Sequence, residues 1–284
     1  GSLKPAPEMF DKAISDLGLR ASDRHQVLMV GNNLARDVAG ANRAGIISVW
    51  CRFNERYPGT PASDDERPVY RIDRIESVLD VLAEAERALN EGPGAFDPEL
   101  ALLHAPVIYF DSREPFLPER VGCTVIDRPG PSPSFPRVFR PLPGERIIEY
   151  AVYWDWDIGH HYELEHIWVF LDPGGRVTRV DASWHGRYNV IADGNGKPLD
   201  LPVALYSQPG KHAFAGSPEA FADKEAFTRP CRDQAGNAGL LVTPLFEGVI
   251  EEQPGDDDWA ARYLKERAFT PSFEFSRRFE FSRE

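Results

Sequence analysis

The chain has 284 residues, of which 42% are hydrophobic and 11% aromatic, enough for one large domain or two ordinary ones with buried cores. A formal net charge of -13 argues against a general binder of phosphate backbones, so no nucleic-acid partner is expected. No stretch reads as a membrane span or secretory leader. Cys51, Cys123 and Cys231 are odd in number and scattered, which fits neither a disulfide framework nor a paired-cysteine metal site and favours a reducing, cytoplasmic setting.

In chain order, residues 7–17 read as a helix, with Met9, Phe10, Ala13, Ile14 and Leu17 spaced for one buried face. Residues 27–30 form an apolar run suited to a parallel strand buried on both faces. A helix is expected over 34–44, a core strand over 46–50, and a closing helix over 71–88 with Ile75, Val78, Leu79 and Leu82 inward. This alternation predicts a doubly wound α/β sheet, whose ligands bind at the carboxyl ends of the strands. Gly31, Asn32, Asn33 and Asp37 lie at such an end. Asp37 is suited to holding or orienting a metal, and Lys4 to offsetting phosphoryl charge. The same residues also suit plainer roles: a solvated lysine, an Asn32-Asn33 helix cap, and an aspartate favouring the helix N-terminus.

Residues 89–95 are rich in breakers, and the domain boundary is placed there, giving domains 1–90 and 91–284. Beyond it, short alternating runs at 107–110, 122–126, 146–158, 163–171 and 176–184 predict an antiparallel β-sandwich or jelly roll. Residues 128–143 hold six prolines and read as an ordered surface loop. Helical insertions are expected at 219–225 and 259–267, and short edge strands around Phe273, Phe275, Phe279 and Phe281.

The densest chemistry lies between Tyr153 and His166. Strand periodicity puts Tyr153, Asp155 and Asp157 on one face and Val152, Trp154 and Trp156 on the other. Glu163 and Glu165 share a face after the Gly159 turn, so a hairpin would gather Asp155, Asp157, Glu163 and Glu165 with His160 at the turn. Four carboxylates repel unless a cation lies among them, and oxygen ligands with one imidazole suit Mg2+, Mn2+, Ca2+ or, with fewer carboxylates, Zn2+. A solvated acidic strand face is the plainer alternative. His166 points with the apolar residues. His185 and His212 follow in later segments, either of them able to join a metal or act as a general base.

The first segment resembles the C-terminal half of haloacid-dehalogenase-type (HAD-type) phosphohydrolases of the phosphoglycolate-phosphatase kind. The likeness rests on Lys4-Pro5-Ala6-Pro7 and on Gly31-Asn32-Asn33-Leu34-Ala35-Arg36-Asp37, with the expected elements between and after them. It implies a Mg2+-dependent phosphomonoesterase of small phosphorylated substrates, with Lys4 steadying a phosphoaspartyl intermediate and Asp37 with Asn32 placing the metal. Two departures stand out. Asn32 replaces the usual aspartate, which weakens a magnesium site. The family's DxDx(T/V) strand with its nucleophilic aspartate has no counterpart in this sequence. The expectation is that a separate or cleaved N-terminal fragment supplies it, the alternative being a degenerate remnant.

The stretch from His160 to His212 is distantly similar to a β-sandwich group that includes necrosis-inducing NLP proteins and Vps62-like proteins, through Gly159-His160, Glu163, Glu165 and Gly210-Lys211-His212-Ala213. That likeness implies a divalent cation held by His160, Glu163, Glu165 and one of Asp155 or Asp157. Three readings result: an incomplete HAD-type phosphomonoesterase; a non-catalytic, cation-dependent binding protein for a small molecule or glycan; and a metal-dependent hydrolase centred on the sandwich, with His185 or His212 as base.

Overall fold

The computed structural model describes residues 4, 6–53, 56–91, 97–142, 144–241 and 251–282, and the chain divides into two compact units. The first comprises residues 1–94 and 126–143, and the second 95–125 and 144–284.

In the first unit, α1 (Pro7–Asp16) buries Phe10 and Ile14 against Ala41, Ala44 and Ile46. Its buried stripe is narrower than the spacing suggested, since Ala13 and Leu17 are exposed. β1 (Leu28–Gly31) leads through a π-type turn at Leu34–Val38 into α2 (Ala39–Arg43). β2 (Ile47–Cys51) is buried throughout, as expected of an apolar strand with a parallel neighbour on each side.

The closing helix starts later than periodicity suggested. Tyr70–Ile72 is instead a third parallel strand, β3, in register with Val49–Cys51. After a turn at Ile75–Ser77, α3 (Val78–Glu91) packs Val81, with Val78 beside it, onto Val49, Cys51 and Ile72. Ala85, one turn further on, is also buried, so the inward face is 78, 81 and 85. Ile75 and Leu79 are therefore exposed, and Leu82 is partly so. The sheet order is β1-β2-β3. Among the described residues β1 has a strand on one side only, and its four residues are all half-buried.

The chain enters the second unit with α4 (Pro98–Leu103), β4 (Val107–Phe110) and β5 (Arg120–Ile126). A two-stranded ribbon, β6 (Gly130–Pro131) and β7 (Val138–Phe139), follows in the proline-rich stretch and belongs to the first unit. There Val138 packs against Ile47 and Val69, and Arg140 donates to Asn42 Oδ1 at 2.9 Å.

The rest builds the second unit: β8 (Arg146–Trp156), β9 (His161–Leu171), β10 (Val177–Trp184), β11 (Arg187–Asp193), β12 (Ala204–Ser207), β13 (Phe214–Ala215), α5 (Lys224–Cys231), α6 (Asp256–Lys265) and β14 (Arg277–Phe279). A five-stranded sheet, β11-β10-β9-β8-β5, and a four-stranded sheet, β13-β12-β4-β14, enclose one core. Ile148, Val152 and Trp154 meet Ile108, Phe110, Leu205 and Phe214 in it. Burying an indole such as Trp154 or Trp168 contributes about 4–6 kcal/mol at ~25 cal/mol per Å2 of apolar surface. The expected partial α/β sheet and mainly β second domain are both present. The smaller sheet is mixed, because β12 runs parallel to β4 while β13 and β14 pair antiparallel. No helix among the described residues is long and apolar enough to cross a membrane.

Candidate functional sites

In the first unit, Lys4 and Asp37 meet at the carboxyl end of β1. Lys4 Nζ donates to Asp37 Oδ1 at 2.9 Å across 33 residues of chain. Asp37 Oδ2 accepts from the backbone N–H groups of Asn32 (3.2 Å) and Asn33 (3.1 Å). Asn33 also caps the turn, its side-chain oxygen accepting from Arg36 N at 3.1 Å. Gly31 makes this possible: a Cβ there would lie 2.4 Å from Asp37 Cβ, so only glycine lets the aspartate fold back over the strand end.

The cleft at this end is lined by Lys4, Gly31, Asn32, Asp37, Asp73 and Glu76, among others. Burial pushes the nearby Cys51 thiol up, with Asp73 and Glu76 adding to the rise. For magnesium, the donor set is partial. Asp37 offers a carboxylate already held by three hydrogen bonds, and Asn32 offers only a neutral amide or its carbonyl, which accepts from Trp50 Nε1 at 3.1 Å. Further oxygen ligands are required for octahedral coordination.

In the second unit, the pairing register regroups the acidic residues. Trp154 stands opposite Glu163 and Val152 opposite Glu165, so both glutamates share the face of Val152 and Trp154 rather than that of Tyr153 and Asp155. Asp155 is exposed and lies outside the cluster. Asp157 joins it because β8 ends at Trp156, where the chain turns and period-two alternation no longer applies. Asp157, His160 and Glu163 then bring ligand-type atoms within 4.8 Å of one another.

Asp157 Oδ1 accepts from the N–H groups of Gly159 (2.5 Å) and His160 (2.7 Å), and Oδ2 lies 3.4 Å from His160 Nε2. Lys211 is the residue that sequence reasoning did not single out. Its ammonium forms an ion pair with Asp157 Oδ2 and stands 3.5 Å from His160 Nε2. Burial pulls Lys211 down to about 8. Its one clue in the sequence is its place in Gly210-Lys211-His212-Ala213, one of the segments that carry the β-sandwich likeness.

Glu163 and Glu165 are both pushed up by burial. His160 and His212 oppose the rise at Glu163, while Glu163 itself adds to that of Glu165, which reaches about 8. Glu165 accepts a short hydrogen bond from Ser183 Oγ and is not among the three clustered residues. His166 is buried, and desolvation lowers it to about 3.

The two later histidines separate. His185 is exposed, with Nε2 2.7 Å from Gln208 Oε1. His212 is fully buried, stacked on Trp154 at 4.6 Å, with Nε2 3.3 Å from Glu114 Oε1 and Nδ1 without a hydrogen-bond partner. Glu114 enters across 98 residues of chain, and nothing local in the sequence marks it.

Residues 3–81 match the family model described as HAD-hydrolase-like. This N-terminal segment is thus HAD-like, with curated relatives named as phosphatases. It is 37% identical over 84 residues to the glyceraldehyde 3-phosphate phosphatase of Methanopyrus kandleri, covering 30% of this chain and 35% of that enzyme. It is also 35% identical over 79 residues to the phospholysine phosphohistidine inorganic pyrophosphate phosphatase of Rattus norvegicus, covering 28% of each. The chain therefore spans about a third of the length of these relatives. Among solved structures, NLPPya in complex with glucosamine aligns with a TM-score of 0.28 and 20% identity, over 42% of this chain and 66% of that one.

Proposed function

We propose that the first unit is the metal-loop half of a HAD-type phosphomonoesterase site acting on a small phosphorylated substrate. The observation that carries this reading is the Lys4–Asp37 pair, 2.9 Å apart at the carboxyl end of a parallel strand, where α/β sheets bind ligands. Lys4 would hold a transferring phosphoryl group by charge, and Asp37 with Asn32 would supply oxygen ligands to magnesium. A bound magnesium would stabilise charge developing on the phosphoryl oxygens. The nucleophilic carboxylate comes from a further polypeptide segment, as a parallel strand added along β1. Among the described residues Leu28–Gly31 has no strand on the side away from the fully buried β2, which supports that placement.

The test is turnover of a generic phosphomonoester with Mg2+ by this chain combined with a segment bearing a DxDx(T/V) strand. Asp37→Ala is expected to lower kcat/KM by about a hundredfold or more, as for loss of a group that stabilises transition-state charge. Turnover that survives Asp37→Ala overturns the reading. Intact-mass measurement of the freshly purified native protein is expected to reveal a polypeptide segment bearing that strand, on the same chain or on a separate one.

A second reading concerns the other unit: a cation-dependent binding domain for a polar small molecule or glycan. It is supported by the convergence of Asp157, His160 and Glu163 and by buried His212 within electrostatic reach of Glu163, its Nδ1 unpartnered. Calcium, manganese, magnesium and zinc each suit an oxygen-rich set with one imidazole. A thermal shift on adding Ca2+ or Mn2+ is expected of a cation-dependent domain, with Asp157→Asn reducing it. No shift with any of these ions, either in the native chain or with Lys211 replaced by a neutral residue, would remove this reading.

A further inference from the structure

We infer that Lys211 is the resident cation of the Asp157–His160–Glu163 cluster, a tethered ammonium in the position a divalent ion would take. The inference rests on the cation-binding reading of this cluster. Lys211 Nζ contacts Asp157 Oδ2 and lies 3.5 Å from His160 Nε2, so it engages two of the three groups that would ligate a metal. An ammonium and a divalent ion cannot share Asp157 Oδ2 at contact distance without strong like-charge repulsion. Lysine also brings three donors and no acceptor, so it satisfies carboxylates as a cation does and offers a metal nothing in return.

The backbone fixes Lys211 there. It lies in the turn between β12 and β13, where Lys211 N and His212 N both donate to Gln208 O, at 3.2 and 2.9 Å. Gly210 N donates to buried Glu114 Oε2 at 2.7 Å, anchoring the turn in the core. Ile158 N donates to Gly210 O at 2.8 Å, which ties the turn to the chain just past Asp157. Lys211 is consequently held over Asp157 rather than extended into solvent, with its side chain 21% exposed. The remaining exposure gives it a way out: the site would admit a divalent ion only when Lys211 leaves.

Lys211→Met keeps the length and apolar stem of the side chain and removes its charge, and Lys211→Gln provides a second neutral variant. Titration of the full chain with Mn2+ and with Ca2+, followed calorimetrically and by thermal melting, separates the possibilities. The expected result is an affinity about tenfold or more higher in both neutral variants than in the native chain, because a neighbouring like charge shifts ionic equilibria by roughly one to three decades. The variants should melt lower in chelator, since Asp157 then has no counter-charge, and should recover on adding metal. Equal, tight binding by native and variant chains overturns the Lys211 assignment while leaving the cation reading intact. Binding by the native chain alone also overturns it. Binding by neither, with both variants folded, sinks the cation reading and this inference with it.

Discussion

Replacing Gly210 with alanine is expected to destabilise the second unit by about 3 kcal/mol or more. Two costs combine. Gly210 has φ +70°, a left-handed conformation that costs an L-residue about 1–2 kcal/mol. Its Cβ would also lie 2.7 Å from Ile158 Cγ2 and 2.9 Å from Cys231 Sγ, both fully buried. Overpacking of that kind typically costs about 1–3 kcal/mol. Gly186→Ala is the control: φ is +73°, yet nothing lies within 4 Å of the added Cβ, so only the backbone cost of about 1–2 kcal/mol should appear. Urea unfolding followed by tryptophan fluorescence reads this unit well, because five of the six tryptophans lie in it. Equal midpoints for the two variants would show that the turn is not packed as described.

The second large effect is on pH dependence, in metal-free buffer. Burial lifts the Glu165 carboxyl from 4.5 in the unfolded chain to about 8 in the fold. Between those values the folded state keeps a proton that the unfolded state has released, so stability falls as pH rises. Glu163, raised in the same direction, adds to this slope. His166 acts with the opposite sign lower down. Burial depresses it from 6.5 to about 3, so acidification through 6.5 protonates the unfolded chain first and stability falls as pH drops. From pH 6.5 to 4.5 the Glu165 and His166 slopes oppose each other, so this pair contributes little net pH dependence there. Moving from pH 6.5 to 8 should cost about 1–2 kcal/mol through Glu165, since the full slope of 1.36 kcal/mol per pH unit per proton fades as the folded carboxyl ionises near 8. Glu165→Gln retains an acceptor for Ser183 and removes the titration, so its profile should flatten over that range. A native profile already flat from pH 6.5 to 8 would rule out the assignment.

The first unit was legible where residues act close to home. Gly31, Asn32, Asn33 and Asp37 lie within seven positions, and the strand-to-helix turn alone brings them together. Lys4 lies 33 positions from Asp37, and its likeness to a known motif is what ties the two together in the sequence. The face of α3 was misread because Leu79 and Leu82 obey helical spacing as well as Val78 and Val81 do, and only packing onto Val49 and Ile72 chooses between them. In the second unit the strands were legible from alternation, but register was not. Asp155 and Glu163 look like partners when faces are counted along each strand separately. Pairing Trp154 with Glu163 puts them on opposite faces. Lys211 and Glu114 depend on contacts 54 and 98 residues apart in sequence, which no local pattern encodes.

The return of residues 126–143 to the first unit bears on the order in which the protein is made. When residue 94 leaves the ribosome, Ile47 and Val69 still lack the Val138 that packs on them. The ribbon arrives roughly 40 residues later, a delay of several seconds at synthesis rates of about 5–20 residues per second. Throughout that interval the nascent first unit carries an unfinished apolar surface, and a truncation ending near residue 94 would make that condition permanent.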